Sequence, residues 1–125
     1  MDCLFSLNLY FSGANVVPMD QREGKLDDLD HVELVRSAVA ANMNMLRVWG
    51  GGHVMPQAFY DACDELGIMV YHDMMFVEEG MHPPLRNLVV EDEIRFVVRE
   101  LVYHTSIMLW NGCNEVCDLF KIFLR

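Results

Sequence analysis

Apolar residues recur along this chain with two periods that alternate. Around Asp30–Asn42 the spacing is helical: Val35, Ala38 and Val39 share a face, Asp30 stands as an N-cap, and Glu33 follows three residues later. The run NMLRVW comes next and reads as a strand. A second helix opens at Pro56, whose fixed φ suits a first turn. It places Phe59, Ala62, Cys63 and Leu66 at i, i+3, i+4 and i+7, and Gly67 closes it. IMVYHD is the strand behind it. A third helix over about Val89–Tyr103 gathers Ile94, Val97, Val98 and Leu101 on one face and leaves Arg95, Arg99 and Glu100 to solvent; the strand IMLWNG follows. A strand around Leu7–Asn15 and a last helix beginning near Glu115 complete four βα units.

Strands that are apolar along their length are covered on both faces, as parallel strands in α/β folds are. A doubly wound sheet would carry a glycine-rich phosphate turn after its first strand, but here GAN runs into VVP and no GxGxxG opens a helix. A barrel instead gathers its chemistry at the C-terminal strand ends, and every strand here ends in polar or aromatic residues. The expected class is therefore α/β, a partial (β/α)8 TIM barrel made of its first four βα units, with residues 1–125 as one domain.

Charge and composition narrow the function classes. A formal charge of -10 disfavours a nucleic-acid partner, because phosphate binding rests on Lys and Arg. No apolar run approaches the ~20 residues of a membrane span, and MDCLFSLNLYFSGA carries Asp2 where a signal peptide would be basic, so it reads as structure. Cys3, Cys63, Cys113 and Cys117 form no CxxC; buried small hydrophobes and a metal or disulfide pair compete for them. His53, His72 and His82 come with no HxH or HExxH motif, so no metal is expected, and the methionines read as core filler rather than a cofactor box. No cofactor is expected.

The polar strand ends are Asn15, then Arg47 with Trp49, then His72 with Asp73, then Asn114 with Glu115. Parallel strands would bring them to one mouth. Amide, guanidinium, carboxylate and indole together suit a carbohydrate, since polyols want bidentate polar partners and a flat apolar face. A plainer reading has Arg47 simply paired with Asp73.

The runs GANVVPMD, NMNMLRVWGGG, FYDACDELGIMVYHDMMF and SIMLWNGCNE resemble the barrel core of the β-mannosidases of glycoside hydrolase family 2, over most of residues 13–115. The resemblance implies a retaining hydrolase of terminal β-mannosides. It implies Glu115 as general acid/base, Asn114 as a sugar-contacting amide, and Arg47 as the arginine that helps hold the nucleophile and the sugar. Trp49 and Asp73 match positions lining the same subsite, and Trp110 matches one near the pocket floor. Val16 stands where an aromatic is more usual and Cys113 where Asn is, which leaves β-galactosidase or β-glucuronidase specificity as alternatives.

A retaining glycosidase needs two carboxyl groups about 5–5.5 Å apart, and the family's nucleophile lies on a later strand than any here. The isolated chain is accordingly expected to be inactive, with Glu78, Glu79 and Asp73 poor substitutes. A non-catalytic fragment that self-associates through open barrel edges is the rival expectation. The family includes lysosomal and secreted members, and the sequence does not choose between them.

Overall fold

In a computed structural model, the structure describes residues 10–20, 22, 24–77 and 88–114. Four strands, β1 (Gly13–Val16), β2 (Met45–Val48), β3 (Met69–Asp73) and β4 (Ile107–Asn111), alternate with helices α1 (Asp28–Ala40), α2 (Gln57–Leu66) and α3 (Leu88–Leu101). All strand pairs are parallel, in the order β1-β2-β3-β4, so each unit adds its strand on the same side of the last. The α/β class and its parallel sheet agree with the sequence expectation. The expected final helix and Glu115 lie outside the described residues, as do Cys3, Cys117, Glu78, Glu79, His82 and the first three residues of the Leu7–Asn15 run, whose strand is seen only from Gly13 onward.

Period-two alternation divides the sheet into two faces. Val16, Val48, His72 and Trp110 occupy neighbouring register positions and turn to one side; Asn15, Arg47, Tyr71 and Leu109 turn to the other. The first side meets the helices. Its core joins Leu46, Val48 and Val70 to Val35 and Ala38 of α1 and to Phe59, Tyr60 and Cys63 of α2, all buried. The second side carries no helix among the described residues, and Leu109 there is half exposed. A bulge between Val70 and Tyr71 leaves Met108 as the extra residue of β4.

The helices follow their sequence signals with small shifts. α1 starts at Asp28, because Asp27 caps it: the Asp27 carboxylate accepts from the Asp30 N–H (3.1 Å), and Asp30 accepts from the Asp27 N–H (3.0 Å). This is a reciprocal capping box with Asp in the place of Glu. The inward face of α1 is His31, Val35 and Ala38, whereas Val39 is largely exposed. Pro56 caps α2 from outside, and Gly67, at φ 73°, ends it. In α3 only Leu101 is fully buried; Ile94, Val97 and Val98 are half covered.

Candidate functional site

The C-terminal ends of β2, β3 and β4 meet in one polar network. Arg47, the penultimate residue of β2, must face away from the helices because Leu46 and Val48 face toward them. Its guanidinium grips the Asp73 carboxylate as a fork, Nε to Oδ1 at 3.2 Å and Nη2 to Oδ2 at 2.6 Å. Arg47 Nη2 also donates to Asn114 Oδ1 at 2.8 Å, and Nη1 reaches Asn15 Oδ1 at 3.5 Å. The guanidinium lies 5.3 Å from the Tyr71 ring centroid, which adds a cation–π contact on the same open face. The Arg47–Asp73 pair foreseen by the plainer reading therefore forms, and it forms within a larger cluster.

Asp73 is completely buried, so its charge depends on its donors. Besides Arg47 it accepts from the Gly50 N–H at 3.1 Å and from Asn111 Nδ2 at 2.9 Å. Gly50 fits this place because the chain comes too close for a side chain: a Cβ there would lie 2.6 Å from the Met74 carbonyl oxygen and 2.8 Å from that of Phe76. Asn114 is buried as well; its Nδ2 donates to the Val77 carbonyl at 3.2 Å and its N–H to the Phe76 carbonyl at 2.8 Å.

Three other expected residues sit elsewhere. Trp49 lines a hollow of about 760 Å³ together with Asp20, Arg22, His31, Gly52 and His53, its ring folded against Gly51. Arg47 and Asn15 line a second, smaller hollow of about 350 Å³ with Tyr71 and Phe11; the two hollows share no residue. Trp49 and Arg47 therefore line different hollows. Trp110 departs from the expected pocket floor. Strand alternation turns it to the helix-covered face, where its ring stands 5.1 Å from that of His72 and packs on the core.

His72 shares that covered face and is not part of the mouth. Its Nδ1–H donates to the Asp73 carbonyl at 2.7 Å, which leaves Nε2 to accept from the Tyr60 hydroxyl at 2.8 Å. The Tyr60 oxygen in turn accepts from the Met55 N–H at 3.2 Å. Burial lowers the His72 pKa from 6.5 despite the opposing pull of the Asp73 carbonyl and charge, so the ring is held neutral. Burial also drives the Tyr60 phenol above its ordinary range and the Cys63 thiol up to about 12. Cys63 is a buried free thiol, as the small-hydrophobe reading expects, and Cys113 is buried as well.

At the opposite end of the sheet, Asp64 of α2 binds the segment before β4. Its carboxylate accepts from His104 Nδ1 at 2.7 Å and from the Ser106 N–H at 2.7 Å. Burial alone would raise the Asp64 pKa, but the His104 and Ser106 hydrogen bonds prevail and hold it below 3.8. With Asp61, 3.9 Å from His104 Nδ1, these are the residues among those described that come close enough for a metal. Both His104 nitrogens are engaged, by Asp64 and Gln57, and Asp64 also takes the Ser106 N–H, so the Asp64–His104 pair reads as a tie between α2 and the start of β4.

Sequence reasoning missed Asn111 and the Gly50 N–H. Asn111 lies two residues beyond Leu109, on the open face, in register with Asp73, and it is that register that reveals it.

No protein-family model matches the chain. Over 111 residues it is 41% identical to the β-mannosidase of Rattus norvegicus, an alignment covering 87% of this chain and 12% of that protein. It is 38% identical over 112 residues to β-mannosidase B of Thermothelomyces thermophilus, covering 88% of this chain and 13% of the relative. Among solved structures, the β-D-mannosidase from Dictyoglomus thermophilum matches with a TM-score of 0.75 at 38% identity, over 84% of this chain and 13% of that one. An FMN-binding β-glucuronidase from Facaelibacterium prausnitzii L2-6, with a TM-score of 0.61 at 24% identity, shares the fold alone. The chain thus spans about an eighth of the length of these β-mannosidases. No helix among the described residues is long and apolar enough to cross a membrane.

Proposed function

This chain is homologous to a segment of the β-mannosidases of glycoside hydrolase family 2, and on that premise we propose that residues 1–125 form the first half of a (β/α)8 catalytic domain. The domain hydrolyses terminal β-mannosides with retention. Glu115 serves as general acid/base, and Arg47 and Asn114 meet the sugar with Asp73 holding Arg47; Trp49, matched to the same subsite by resemblance, lines a separate hollow. The nucleophile is expected on a later strand of the barrel than the four described, and retention needs both carboxyl groups together. Trp110 is left out of the sugar contacts, because its indole lies behind the sheet.

The observation that carries this reading is the Arg47–Asp73–Asn114 cluster, which draws on the C-terminal ends of three successive parallel strands. Strand order supports the barrel: a sheet that always adds on the same side has no switch point, and closing on itself is how such a sheet removes its edges. The experiment is a segment swap. Residues 10–120 of this chain replace the matching segment of the Dictyoglomus thermophilum enzyme, and hydrolysis of 4-nitrophenyl β-D-mannoside is followed with and without Glu115→Gln. Loss of about 10²- to 10⁴-fold in kcat is expected. An unchanged rate removes Glu115 from the mechanism, and a folded swap that is inactive with Glu115 intact counts against the glycosidase reading.

A second reading, self-association, rests on a different observation. Met108 and Leu109 expose apolar surface on β4, whose outer edge has no partner among the described residues. Sedimentation of the chain across a concentration range tests it, and a concentration-independent monomer would set it aside.

A further inference from the structure

Asp73 accepts from three separate parts of the chain, and one of them also controls its neighbour in the cluster. Asn111 Nδ2 has two protons. One goes to Asp73 Oδ1 at 2.9 Å and the other to the Cys113 carbonyl, a close contact. Both partners are acceptors, so the amide has one tolerable orientation; flipped, its oxygen would face two oxygens. The two acceptors also lie at two of the places from which Arg47 is held. Asp73 takes Arg47 Nε and Nη2, while the Cys113 carbonyl belongs to the turn that presents Asn114, whose Oδ1 takes Nη2 again.

A carboxylate bound only by a guanidinium fork can still turn about its own axis and carry the fork with it. Here Asn111 fixes Oδ1 and the Gly50 N–H fixes Oδ2, so the carboxylate plane is set before the arginine docks. Because Asp73 is fully buried, no water can take over a missing donor without opening the sheet.

We propose that Asn111 is a positioning residue that aims the Arg47 guanidinium, acting through Asp73 on one side and the 113–114 turn on the other. The proposal rests on the reading of Arg47 as a sugar-binding residue for its functional half, and on geometry alone for its structural half. Asn111 touches no substrate.

The test has two arms. In the 15N-labelled full chain, the Arg47 Nε–H signal, assigned by its loss in Arg47→Lys, is expected to exchange slowly with water. Asn111→Ala should speed that exchange at least about tenfold, while the Ser106 N–H at the other end of the sheet keeps its rate. Asn111→Asp adds a readout that a mere packing role would not move: it keeps the side-chain volume but removes both donors, so its exchange should be as fast as that of Asn111→Ala, where a packing role would leave it near the unsubstituted rate.

In the segment-swapped enzyme, Asn111→Ala is expected to lower kcat/KM on 4-nitrophenyl β-D-mannoside by about 10- to 100-fold, chiefly through KM. An unprotected Arg47 Nε–H in the unsubstituted chain, or unaltered exchange in Asn111→Ala, overturns the proposal. Faster exchange with unchanged kinetics overturns its functional half and leaves the glycosidase reading standing. A swapped enzyme that is inactive with Asn111 intact sinks the glycosidase reading, and the exchange arm still decides the positioning.

Discussion

Each end of the sheet is organised around one carboxylate, and the two ends are built differently. At the C-terminal end Asp73 is fully buried and is gripped by a guanidinium, an amide and a backbone N–H. At the other end Asp64 keeps about a quarter of its side chain exposed and is held by an imidazole and a backbone N–H. Arginine cannot give up its proton and histidine can. The first arrangement fixes a cation in place at any working pH, which suits a group that must meet a ligand. The second staples α2 to the start of β4, which suits stability. The division agrees with barrel folds in general, where C-terminal strand ends carry chemistry and N-terminal ends carry robustness.

The contrast is open to experiment, and the largest effect is expected at the buried carboxylate. Asp73→Ala would strand Arg47, Asn111 and the Gly50 N–H together, so denaturant unfolding should show a loss of about 3–5 kcal/mol. A loss under about 1 kcal/mol would mean that the cluster is not a unit. Tyr60→Phe comes next, because it leaves both His72 Nε2 and the Met55 N–H without their partner in a dry site; about 2 kcal/mol is expected in the same measurement. Asp64→Asn keeps one acceptor for the Ser106 N–H and should cost only about 1 kcal/mol. Smallest is Val39→Lys, at a position that the apolar pattern places inside and the fold leaves outside, with a change within about 0.5 kcal/mol.

Acid separates the two ends further. The folded state holds the Asp64 pKa below 3.8, so the stability it contributes is complete above pH 3.8 and is lost as pH falls through the folded value. Asp64→Asn should flatten that limb of a Tm-against-pH curve. His72 behaves alike for a different reason. Burial lowers its pKa below 6.5, so under pH 6.5 the unfolded chain takes up a proton that the fold refuses. Stability should therefore fall as pH drops from 6.5 toward the folded value and stay level above it. His72→Gln should remove the slope; a slope that persists in this variant would place the titrating group elsewhere.

Much of this was legible in the amino-acid order. Apolar spacing located α2 within a residue, since Pro56 and Gly67 bracket it, and strand-end polarity picked out Arg47, Asp73 and Asn114. The start of α1 was missed because Asp30 was read as the cap. Only reciprocal hydrogen bonds show that Asp27 is the cap and Asp30 its N3 partner.

Trp110 was expected near a pocket floor on resemblance alone. Which face it takes depends on where the Met108 bulge resets the register against β3. The same reset puts Asn111 beside Asp73, which no count along β4 alone would reveal.

What the sequence determined by itself is therefore local: which segments are helices, which are strands, and which residue types stand at their ends. These follow from periodicity and from caps, both of which act within a few residues. Only the tertiary structure decided which polar side chains share a donor and which face each strand residue presents. Those outcomes depend on register between strands tens of residues apart, set by the core packing as a whole rather than by any one segment.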